Sequence, residues 1–141
     1  MISISSLKHL FIAILFLAFS APAMAAGNGI SSLWEVAGTP AGAPGPAFTN
    51  IFRVHKDGSL TNLDPWFGTG LGQWQKLGGD FYSISFTHYF LDGEDVGEAK
   101  VTATVELSAD RQEFHGNYLT EISVGGMLVD SVEGSVAASR Q

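Results

Sequence analysis

The segment DFYSISFTHYF, residues 80–90, decides how the chain is to be read. It is rich in aromatic and β-branched residues and follows the turn signal Gly78–Gly79. In a strand, alternate side chains share a face. Tyr82, Ile84, Phe86, His88 and Phe90 then form one line, and Phe81, Ser83, Ser85, Thr87 and Tyr89 form a mixed line opposite. One imidazole among large apolar groups needs a polar partner. Either His88 is a core residue bonded inside the protein, or it is the polar contact of an otherwise apolar pocket.

The same pattern extends in both directions. Strands are expected over 31–36, 47–55, 59–63, 71–77, 80–91, 96–107, 112–124 and 127–138, and no segment sustains a helical period. In 98–107, Ala99, Val101, Ala103, Val105 and Leu107 alternate with Glu98, Lys100, Thr102, Thr104 and Glu106, giving one dry face and one wet face. Phe114, Gly116, Tyr118, Thr120, Ile122 and Val124 share a parity. So do Leu128, Val132, Gly134, Val136, Ala138 and Arg140. Phe48, Asn50, Phe52 and Val54 share the dry parity of the second strand, and Trp34 and Val36 that of the first.

Punctuation sets the topology. KDGS (56–59), GGD (78–80), LDGEDVG (91–97), SADRQ (108–112) and VGGM (124–127) are turns of hairpin length. GTPAGAPGPA (38–47), with three prolines and three glycines, is expected to be a long loop after the first strand. DPWFGTG (64–70) is expected to be a second loop. Consecutive hairpins make an antiparallel meander. Eight half-buried strands close most simply into an up-and-down barrel, since closure removes the exposed edges that a two-sheet sandwich keeps. An eight-stranded barrel is either filled by its own side chains or holds one small ligand.

The N-terminus has the form of a secretory signal. Lys8 precedes the apolar run LFIAILFLAF (10–19) and AMA (23–25) offers a small-residue cleavage site. The expected division is a signal peptide over 1–25 and one barrel domain over 26–141, secreted or periplasmic. Ten apolar residues are too few for a comfortable membrane span. Cleavage removes only Lys8 from the charged residues and takes the formal charge from −7 to −8. That balance offers no footprint for nucleic acid or for an anionic membrane. The chain has no cysteine, so an exported fold must rest on packing rather than on disulfides.

Arg140 and Trp34 share the dry parity near one end of the barrel, on the last and first strands that closure brings together. Stacking the guanidinium on the indole would offset the cost of withdrawing the charge from water. The Trp and Arg so placed look like the Trp/Arg pair of lipocalins and other calycins. Together with GQW, GGDFYSISFTHYF, VTATVELSADRQEFHGNY and VDSVEGSVAASR, they make residues 31–140 resemble small secreted calycin-like bacterial proteins. The allene oxide cyclase barrel is a related type. The G-x-W of this chain, Gly72–Gln73–Trp74, falls on the fourth strand, whereas Trp34 follows Ser32 and Leu33.

That resemblance implies an eight-stranded barrel and a small apolar ligand. The expected wall is Asn50, Phe52, Trp74, Tyr82, Phe86, His88, Phe90 and Tyr118, with Phe48, Ile84 and Ile122 beside them. His88 and Asn50 would orient the ligand. A barrel cyclase or isomerase would use the same wall, with His88 or Tyr118 as general acid. A filled barrel would instead work through its surface as an interaction or inhibitor module, with Trp66 and Phe67 as anchors. No nucleophile motif, phosphate loop, metal-ligand spacing or cofactor fingerprint is present. GTGLG (68–72) precedes a strand rather than opening a helix.

Overall fold

The computed structural model describes residues 29–141. The signal-like segment and its cleavage site lie outside the described residues. From Ser32 onward each stretch of alternating residues is a strand and each glycine-bearing break is a turn. The strands are β1 (Ser32–Pro40), β2 (Phe48–Val54), β3 (Ser59–Asp64), β4 (Gly68–Gly78), β5 (Phe81–Asp92), β6 (Asp95–Leu107), β7 (Glu113–Val124) and β8 (Met127–Arg140). Each pairs antiparallel with its sequence neighbour, and β1 pairs with β8, so the sheet is a closed up-and-down barrel. No helix occurs among the described residues.

Three local features depart from expectation. β1 continues to Pro40, with Gly38 opposite Val136 and Pro40 opposite Gly134. Proline is tolerated because it ends the strand, and Ala41 N–H resumes the ladder to Glu133 O at 2.9 Å. The proline-rich loop is therefore 41–47. β4 begins at Gly68, so half of the expected 64–70 loop is strand. In β8, Ile122 faces Asp130 while Ser123 faces Leu128. The extra residue, Val129, is a bulge that shifts parity and turns Leu128 out of the dry line, leaving it exposed.

The two ends of the barrel differ. At the end bearing the 55–59, 78–80 and 108–112 turns, large side chains fill the lumen. Ile30, Trp34, Leu60, Tyr82, Leu107 and Phe114 are at most 2% exposed, and the Trp34 and Phe114 rings lie 4.8 Å apart. Each such side chain contributes about 1.5–3 kcal/mol by leaving water. Arg140 closes this floor. Its guanidinium carbon sits 4.5 Å over the Trp34 ring, and Nε and Nη2 donate to Arg111 O at 2.7 Å and Gly29 O at 3.0 Å. Trp34 Nε1 in turn donates to Ile30 O at 2.7 Å.

Toward the other end the lumen is less full. β2 and β5 present Phe48, Phe52 and Phe86, whereas β6 and β8 present Ala99, Ala103 and Val136 across from them. These residues together line a void.

Candidate functional site

The void is an interior cavity of about 100 Å³, lined by residues from β1, β2 and β5 to β8 together with Asp64 at the end of β3 and Phe67 of the β3–β4 connection. Its wall is overwhelmingly hydrocarbon. Asp64 and Phe67 mark its approach to solvent, Phe67 being 49% exposed.

His88 is the central polar residue of the wall. It is 3% exposed, and its Nε2 lies 2.7 Å from Asn62 Oδ1, itself fully buried. An amide oxygen accepts, so Nε2 carries the hydrogen. Burial holds the imidazole below its ordinary pKa, while the Asp64 carboxylate and the Thr69 backbone act in the opposite sense. Nδ1 is buried, with no hydrogen-bond partner among the described residues.

The ring also needs Gly70. A Cβ built on Gly70 would lie 2.8 Å from His88 Cε1 and 2.9 Å from Nε2, inside van der Waals contact. The imidazole is thus seated against bare backbone on β4, where GTGLG supplies the absent side chain.

Two further wall groups lack partners. Asn50 Oδ1 and Tyr118 Oη are buried without a hydrogen bond, as is Asn62 Nδ2 behind His88. Burial raises the Tyr118 pKa, which keeps the hydroxyl protonated. An unmet buried polar group costs about 1–3 kcal/mol, and folded proteins hold only a few. Three of the four belong to residues that line one apolar cavity.

Of the residues expected on the wall, Asn50, Phe52, Phe86, His88 and Tyr118 come together around the cavity, with Phe48 and Ile84. The others do not line it. Tyr82 and Trp74 belong to the filled end, with ring centroids 5.8 Å apart, and Trp74 Nε1 donates to His55 O at 2.7 Å, pinning the β2–β3 turn. Phe90 lies at the rim, folded over Gly97, where a Cβ would meet the ring at 2.2 Å. Ile122 stands off the wall.

Sequence reasoning missed Asn62, Gly70 and the inward role of Phe67. Asn62 shares the parity of Leu60, so an asparagine on a dry line was the available signal. Trp66 and Phe67, expected to act together as surface anchors, part company. Asp64 Oδ1 accepts from both backbone N–H groups, at 2.7 and 2.9 Å. This turn leaves Trp66 83% exposed and lays Phe67 between His88 and Phe90, with ring centroids 5.9 and 6.0 Å away. Phe67 is the stopper of the cavity.

Among the described residues no group of three or more His, Cys, Asp or Glu side chains converges as a metal site. No protein-family model and no curated protein matches the chain.

Proposed function

We propose that the protein is an exported, calycin-like carrier whose barrel takes up one small, largely apolar molecule beneath Phe67. The observation that carries this reading is an apolar chamber whose lining includes three polar residues, Asn50, His88 and Tyr118, each with a buried atom that has no hydrogen-bond partner among the described residues. A core built only to be filled would replace or pair such groups. An apolar chamber with a few placed polar atoms is the usual form of a small-molecule site. Export is supported by Lys8, the 10–19 apolar run and the AMA motif. The calycin likeness is supported by Arg140 stacked on Trp34 in a closed eight-stranded barrel.

The chamber limits its guest. An apolar cavity of roughly 150 Å³ accepts benzene, so the closed chamber, tighter at about 100 Å³, takes at most a single ring or its aliphatic equivalent. A longer guest requires Phe67 to swing out.

The test is an NMR titration of mature protein with toluene. Binding is expected to shift the resonances of Phe52, Phe86 and Ala103 in the interior. Phe67→Ala is expected to admit naphthalene, which the unaltered protein refuses. If no interior resonance moves with either probe, in either protein, the lumen is closed to ligands and the reading falls.

A further inference from the structure

We propose that the outer face of β3 to β6, at the open end of the barrel, is a docking surface for a cationic amphipathic segment of another protein. Such a segment sets its apolar stripe against the wall and its lysines or arginines against the acidic border. The inference concerns the exterior and does not depend on what the chamber holds.

Strand alternation turns Leu63, Leu71, Tyr89, Leu91 and Val96 away from the lumen, and each is more than half exposed. The register makes them contiguous. Leu71 stands opposite Thr61 and Thr87. Leu63 and Tyr89 lie two positions beyond these, so Leu71 is the diagonal neighbour of both. Leu91 follows Tyr89 on the same face and lies opposite Val96. Trp66, on the turn after Leu63, is the most exposed of the set. Nearer the middle of the barrel the same wall is polar, with Ser83, Ser85 and Thr87 on β5 and Lys100, Thr102 and Thr104 on β6. A continuous apolar stripe on a wall that is otherwise wet marks an interaction surface. It follows the rim from Leu63 to Val96, which fits an elongated segment laid along it.

Charge decides the occupant. Asp64, Asp92, Glu94, Asp95 and Glu98 border the stripe, Glu98 directly opposite Tyr89. Lys100, opposite Thr87, is the one base beside it. The other basic residues after Lys8, namely Arg53, Lys56, Lys76, Arg111 and Arg140, lie toward the floor. The one ion pair among the described residues, Arg111 to Asp80 at 3.8 Å, is there too. The acids of the rim are therefore uncompensated. A second copy of this chain docked on the stripe would bring acid against acid, which is unfavourable. A phospholipid surface would set its phosphates against the same acids. A partner with lysine or arginine flanking an apolar stripe satisfies both features at once.

The experiment titrates mature protein at neutral pH with three synthetic amphipathic peptides of equal length, followed by NMR and calorimetry. One is built of leucine and lysine with the leucines on one helical face. In the second glutamate replaces lysine, and in the third serine replaces leucine. The leucine–lysine peptide is expected to bind, to shift the resonances of Leu71, Tyr89 and Leu91, and to weaken at least about tenfold as salt rises from about 50 mM to about 500 mM. Leu71→Ser/Leu91→Ser and, separately, Asp92→Asn/Glu94→Gln/Asp95→Asn are each expected to weaken it at least about tenfold. Leu77→Ser, at an exposed leucine near the floor, is expected to leave it within a few-fold. All these side chains are exposed, so the variants keep the core intact. No binding by the leucine–lysine peptide, equal binding by either control peptide, or an equal loss in Leu77→Ser would overturn the assignment. Self-association through the stripe, or attachment to phosphatidylcholine vesicles in place of the peptide, would overturn it in favour of those occupants. Toluene uptake is read separately, so the carrier reading stands or falls on its own test.

Discussion

His88 Nε2 and Asn62 Oδ1 lie 2.7 Å apart although 26 positions separate the two residues in the chain. Neither is adjacent to the other in the sheet. β3 and β5 are both neighbours of β4, and the two side chains meet across it because Gly70, opposite Asn62 in the ladder, carries nothing to intervene. One hydrogen bond thus ties β3 to β5 across β4.

Removing one member of this pair should cost more than removing both. Asn62→Leu strips His88 of its side-chain partner and is expected to destabilise the protein by about 1–3 kcal/mol. The double variant Asn62→Leu/His88→Leu leaves no orphaned ring nitrogen and is expected to recover most of that loss. Urea unfolding of the two singles and the double gives the coupling. Additive losses would mean that the bond contributes nothing of its own.

Stability should decline in mild acid, and His88 should be the reason. Its imidazole is held below the ordinary 6.5 by burial. As pH falls through that value the unfolded chain takes up a proton and the folded chain does not. Folding is then penalised by at most about 1.4 kcal/mol for each pH unit, until the lower folded-state pKa is reached. Above about pH 7 this source is silent. His88→Gln is expected to flatten the unfolding free energy between about pH 7 and pH 5. A loss in stronger acid should persist, because Asp57 and Asp110 are held below the usual carboxylate range chiefly by the Ser59 and Ser108 hydroxyls. Their contribution is present above about pH 4 and disappears as the pH falls below it.

Gly70→Ala should act through the imidazole. The added methyl would stand 2.8–2.9 Å from the ring, so the ring must shift and its bond to Asn62 must lengthen. Overpacking of this kind costs about 1–3 kcal/mol. In a His88→Ala background the same methyl meets space, and the substitution is expected to be close to neutral. A thermal unfolding comparison of the two backgrounds separates this from a general intolerance of alanine on β4.

Arg140→Ala should weaken the floor without touching the chamber. It removes the stacking on Trp34 and the hydrogen bonds to Arg111 O and Gly29 O. Together these suggest a loss of about 2–4 kcal/mol. Toluene affinity, measured well below the transition, is expected to stay within a few-fold. A large loss of affinity would show that the two ends of the barrel are coupled.

Much of this architecture was legible before any coordinates. Strict alternation in 98–107 and glycine-bearing turns at short spacing specify half-buried antiparallel strands, and eight of these in hairpin order leave closure as the simplest way to hide the edges. Parity alone put Trp34 and Arg140 on one side and aligned Asn50, Phe52, Phe86, His88 and Tyr118. It failed at Leu128, because the bulge at Val129 adds a residue to the strand without marking it in the composition.

What the sequence determined by itself is which way each side chain faces, since that depends only on the two-residue period of a strand. What the tertiary structure decided is height along the barrel and company across it. Trp74, Tyr82 and Phe90 have the right parity for the wall but the wrong height. Phe67 leaves a turn to become the stopper, and Asn62 reaches His88 over a glycine. Whether large meets large or large meets small across the lumen depends on register and stagger among strands distant in sequence. That is why the filled floor and the hollow chamber above it are visible only in the folded barrel.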